Sequence, residues 1–90
     1  MGRRLVITGR VQGVFYRAWS ASEARGLGLN GWVRNRRDGK VEMLIDGAAE
    51  AMDRMIALCR QGPPEARVER IEVEETEEQA PSGFEKRPTV

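Results

Sequence analysis

At 90 residues, with 40% of them hydrophobic and 32% charged, the chain is long enough for one hydrophobic core and too short for two. It has no His and a single Cys, which excludes a Ser-His-Asp or Cys-His catalytic engine and a zinc site of the usual Cys/His kind. The net charge of +1 conceals an asymmetry: residues 1–45 hold nine Lys/Arg against three Asp/Glu, a net of +6, whereas residues 46–90 hold six against eleven, a net of −5.

Thirteen of the fifteen cations are Arg, whose planar fork matches phosphate and carboxylate. An anionic partner is therefore worth testing beside the plainer reading of a solvated surface. No run approaches the length of a membrane span, and Met1-Gly2-Arg3-Arg4 leads directly into a strand-like pattern without a signal-peptide core. A cytoplasmic protein is expected.

Leu5, Val6 and Ile7 predict a short, central first strand that ends at Gly9. After a loop containing Gly13, the period changes: Tyr16, Trp19, Ser20, Ala24 and Leu27 share one helical face, which predicts a helix over residues 17–27 with Gly26 and Gly28 as its stop. Gly31-Trp32-Val33-Arg34-Asn35 reads as a second strand, and alternating Val41, Met43 and Ile45 as a third. Between them Asp38-Gly39 predicts a two-residue type I′ hairpin turn.

Ala48, Ala51, Met52, Met55, Leu58 and Cys59 recur at helical spacing until Gly62-Pro63-Pro64 ends the second helix, and Cys59 reads as a buried reduced thiol. A fourth strand follows from Val68 to Glu74. There Val68 is out of phase with Ile71 and Val73, so a bulge or a late start is expected. The acidic residues Glu72, Glu74, Glu75, Glu77 and Glu78 fit the solvated side of that strand and the loop after it. Phe84 to Val90, broken by Pro88, reads as a short edge strand. The order is that of an α+β, ferredoxin-like βαββαβ sandwich, with both helices on one face of an antiparallel sheet of four to five strands.

The segment Gly9-Arg10-Val11-Gln12-Gly13-Val14-Phe15-Tyr16-Arg17 joins a strand to a helix N-terminus. Backbone N–H groups and the positive end of the helix dipole favour a bound anion there, and Arg17 can turn its guanidinium onto it. As a bare glycine spacing the motif is weak, and Asn35 alone is an ordinary polar residue at a strand end. The whole string, however, closely resembles the phosphate-cradle signature of the acylphosphatase family. Gly31-Trp32-Val33-Arg34-Asn35 followed by Gly39, Val41 and Gly47 resembles that family's second signature. The resemblance runs on through Gly62-Pro63-Pro64 to Phe84, Arg87 and Thr89. Tyr16 departs from it, since Phe is more usual there, and its hydroxyl is expected to alter packing only slightly.

The resemblance implies hydrolysis of small acyl phosphates to a carboxylate and inorganic phosphate, with phosphate as product and inhibitor. It implies that Arg17 and the backbone amides of Gln12, Gly13, Val14, Phe15, Tyr16 and Arg17 hold the phosphoryl group, and that Asn35 positions the attacking water. No cofactor, metal, membrane or nucleic acid is implied, and a monomer is expected. The missing His is compatible with this chemistry, because a carboxylate leaving group of pKa about 4 needs no general acid. The alternative is a non-catalytic ferredoxin-like module that binds anions or RNA. An RNA-recognition sheet stacks bases on aromatic residues of its first and third strands, and Leu5-Val6-Ile7 and Val41 to Ile45 contain none.

Overall fold

The computed structural model describes all 90 residues. The strands and helices follow in the order β1 (Gly2–Arg10), α1 (Tyr16–Gly26), β2 (Asn30–Asn35), β3 (Val41–Asp46), α2 (Ala49–Gln61), β4 (Arg67–Thr76) and β5 (Phe84–Arg87). The sheet order is β4-β1-β3-β2-β5. Strand β1 is longer than its apolar triplet suggests, because it pairs on both sides, with β3 and with β4, and so continues through the charged residues that flank the triplet.

The predicted antiparallel sheet needs one correction: β5 runs parallel to β2, and the sheet is mixed. The reason is geometric. Strand β4 ends at the same end of the sheet at which β2 begins, and the chain must then cross four inter-strand spacings of about 4.8 Å each. Residues 77–83 reach at most about 25 Å. That is enough to cross the end of the sheet but not also to climb its length, so β5 enters beside the start of β2 and runs the same way.

The bulge expected near Val68 is present. The β1–β4 register shifts between Thr8 and Gly9, with Thr8 opposite Arg70 and Gly9 opposite Val68, so Glu69 is the extra residue. The β2–β3 hairpin also departs from expectation. Its turn is closed by Gly39 N–H donating to the Arg36 carbonyl at 3.1 Å, and Gly39 alone takes a positive φ, 91°. A type I′ turn requires positive φ at both central residues, and Asp38 does not adopt it. The Asp38 carboxylate instead accepts the Lys40 N–H at 3.0 Å, giving a longer loop with one left-handed glycine.

Leu5, Ile7, Val33, Val41, Met43 and Ile45 point from the sheet toward α1 and α2, whose Tyr16, Ala21, Ala24, Met52, Met55 and Cys59 complete one core. Small side chains at Ser20, Ala21 and Ala24 let α1 lie close to the sheet. Neither helix is long and apolar enough to cross a membrane. The opposite face carries charge: buried Glu42 accepts from Arg4 and, at 2.8 Å, from Arg34. The Arg34 guanidinium also lies 4.3 Å above the centre of the Trp32 ring.

Candidate active site

Strand β1 delivers the chain into a loop, residues 11–15, whose two ends are fixed: Val11 and Val14 are buried in the core, and Tyr16 opens α1. Between these anchors the backbone twists into the left-handed region twice, at Gly13 (φ 73°) and at Phe15 (φ 63°). Left-handed residues alternating with right-handed ones turn successive N–H groups to one side, the geometry of an anion nest. For an aromatic residue this conformation costs about 1–3 kcal/mol, and Phe15 has no compensating burial, its side chain being 80% exposed.

The loop's donors are free. None of the N–H groups of Gln12, Gly13, Val14, Phe15, Tyr16 and Arg17 donates to a protein acceptor, and no side chain caps α1. The first turn of α1 contains no acidic residue either. Unsatisfied donors at the positive end of a helix dipole are what an anion requires.

A cavity of about 230 Å³ opens at this point. Gly13, Phe15, Tyr16 and Arg17 line it from the loop and α1, Asn35 from the end of β2, and Lys86 from β5. Arg17 lies one residue into α1, and its Nη1 donates to the Arg87 carbonyl at 3.2 Å. This single bond steers the guanidinium while leaving its other donors available, and no carboxylate pairs with it. Asn35 is held through its backbone, its carbonyl accepting the Val90 N–H at 3.1 Å, and its side-chain amide makes no hydrogen bond within the protein. No carboxylate, imidazole or thiol lines the cavity.

A profile of the acylphosphatase family matches residues 3–86. The chain belongs to the acylphosphatase family. Among curated relatives, an acylphosphatase of Rhizorhabdus wittichii is 49% identical over 90 residues, covering 100% of this chain and 91% of the relative. One from Acidovorax sp. is 53% identical over 88 residues, covering 98% and 91% respectively. The crystal structure of an acylphosphatase from Bacillus subtilis superimposes with a TM-score of 0.90 at 34% identity, covering 96% of this chain and 97% of that one.

Five of the seven residues expected at an acylphosphatase site, Gly13, Phe15, Tyr16, Arg17 and Asn35, line the one cavity. The side chains of the other two lie elsewhere: Val14 is in the core, and Gln12 reaches to the β2–β3 hairpin, so only their backbones can serve the loop. The Tyr16 hydroxyl does more than adjust packing. It donates to the Cys59 carbonyl at 2.6 Å, tying the start of α1 to the end of α2. Burial pushes the phenol well above its ordinary pKa, and the Cys59 thiol up to about 12, so neither is a nucleophile at neutral pH. Lys86 is a cavity residue that sequence reasoning missed, because its position depends on the parallel register of β5 with β2, in which Lys86 stands beside Val33.

Proposed function

We propose that this chain hydrolyses the carboxyl–phosphate bond of small acyl phosphates, and that it does so without a metal or cofactor. The observation that carries the reading is the meeting, at one cavity free of carboxylates, of six unpaired N–H groups from the loop and the first turn of α1, the Arg17 guanidinium and the unpaired Asn35 amide. In this reading the loop and Arg17 hold the three peripheral phosphoryl oxygens, on which negative charge collects in the loose transition state. The Asn35 amide orients a water for in-line attack. The new P–O bond forms as the bond to the acyl oxygen breaks, the electron pair leaves with the carboxylate, and the water's proton ends on the phosphate. With no carboxylate, imidazole or thiol lining the cavity, the phosphoryl oxygens are the acceptor for that proton.

The RNA-binding alternative receives no support from the open sheet face. Trp32, the aromatic residue on that side, is 1% exposed beneath Arg34 and Arg87, and cannot stack a base. The deciding experiment is hydrolysis of benzoyl phosphate by the purified chain in excess chelator. Turnover competitively inhibited by inorganic phosphate is expected. Absence of turnover with retained folding would overturn the enzyme reading.

A further inference from the structure

The proposed roles of the loop and Asn35 require the phosphoryl site and the water site to keep a fixed separation, yet they sit on different elements. The loop follows β1, whereas Asn35 ends β2 at the mouth of the hairpin. One side chain joins them. Gln12 Nε2 donates to the Arg36 carbonyl at 2.7 Å and to the Lys40 carbonyl at 2.9 Å. Both amide hydrogens are spent on the two carbonyls that face each other across the hairpin mouth, immediately after Asn35 and immediately before Val41.

Those carbonyls do not need Gln12 to be satisfied. The Arg36 carbonyl also accepts the Gly39 N–H at 3.1 Å, and the Lys40 carbonyl accepts the Arg36 N–H at 2.9 Å. The hairpin therefore closes on its own bonds, and the loop is anchored independently by buried Val11 and Val14. What Gln12 adds is the link between the two units. Its backbone belongs to the phosphoryl loop and its side chain grips the hairpin, so one residue braces the two directly, in addition to the β1–β3–β2 pairing that aligns Ile7, Val41 and Asn35.

We propose that Gln12 is a positioning residue that fixes Asn35, and the water Asn35 orients, against the phosphoryl loop. The inference rests on the roles given above to the loop and to Asn35. Gln12→Met keeps the side chain's length and the backbone N–H but removes both donors. Its kcat is expected to fall about tenfold to a hundredfold, because a displacement of about 1 Å at the reacting atoms has that consequence. The KM and the inhibition constant for phosphate should stay within about twofold, since the loop is untouched. Equal loss of phosphate affinity and rate would overturn the proposal, as would an unchanged kcat with only a lower melting temperature, the result of a purely structural contact.

A double-mutant cycle separates this proposal from the reading beneath it. If Gln12 acts through Asn35, Gln12→Met should lower kcat little further in an Asn35→Ala background. Multiplicative losses would show that Gln12 acts elsewhere. If Asn35→Ala alone retains full kcat, the water-orienting role fails, and this proposal with it.

Discussion

Arg17 and Asn35 reach one cavity from elements with different anchors, so their removal has different consequences. In the role proposed for it, Arg17 supplies charge-assisted donors that strengthen as charge builds on the phosphoryl group. Arg17→Ala should lose about 3–4 kcal/mol of transition-state stabilisation and weaken phosphate inhibition with it, measured as kcat/KM and the phosphate inhibition constant. Asn35→Ala leaves the loop intact, so its kcat should drop about a hundredfold while phosphate inhibition persists. Near-normal activity in the first variant, or equal loss of binding and rate in the second, would remove the assigned role. Both residues were legible in the sequence because each lies in a string resembling a family signature. Tyr16 shows the limit of such strings: they name the residue but not the carbonyl its hydroxyl meets. Tyr16→Phe removes the donor to the buried Cys59 carbonyl and should cost about 1 kcal/mol of stability in urea unfolding, with kcat little changed.

The elements were legible wherever local pattern decides them and illegible where the path between them does. Helical spacing located α1 and α2, and phase within β4 revealed the bulge, because these depend on residues a few positions apart. The parallel direction of β5 depends on the reach of residues 77–83 across the sheet end, and the hairpin turn on the backbone angle of Asp38. Neither is written in residue type. Gly31 makes the same point about strand packing. A Cβ there would stand 1.8 Å from the Leu44 carbonyl oxygen, in a backbone conformation (φ 145°) that side chains rarely adopt. Gly31→Ala must push β2 off β3 at the base of the strand that carries Asn35, and is expected to cost about 3 kcal/mol or more. Gly39→Ala meets nothing within 4 Å and should cost only about 1–2 kcal/mol, from its left-handed angle. Urea midpoints of the two variants give the comparison, and equal losses would contradict the close approach of the strands.

For the molecule as a whole, the charge asymmetry between the halves of the chain has a partly structural meaning. The fold sets basic β1 beside acidic β4, and Arg4 on β1 bonds both Glu74 on β4, at 3.2 Å, and Glu42 on β3. Arg34 on β2 holds the other Glu42 oxygen and covers Trp32, so a single network crosses four strands. Arg3, Arg4, Arg34 and Arg36 of the basic half thus pair with carboxylates, and the guanidinium of Arg17, which has no carboxylate partner, stands apart from them. Glu42 is the network's centre, 2% exposed, and it lies in an alternating strand pattern that marks it as a solvent-facing residue. Only its cross-strand partners reveal why it can be buried. Burial alone would push its carboxyl up, but the hydrogen bonds and charges of Arg4 and Arg34 outweigh this and hold it below the ordinary carboxylate value. A carboxyl lowered in the folded state stabilises the fold above its unfolded pKa, about 4.3, and loses that contribution as pH falls through the folded value. Glu42→Gln should therefore lower stability at pH 7 by about 2–3 kcal/mol. For a chain of this size that corresponds to roughly 10–20 °C in melting temperature. The wild-type melting temperature should then approach that of the variant as the pH is taken from about 5 toward 2, because protonation removes from Glu42 what the substitution has already removed. Asp38, held low chiefly by the Lys40 N–H, titrates in both proteins and cancels in the comparison. Melting curves that stay parallel across that range would show that the Glu42 charge does not hold the open face together.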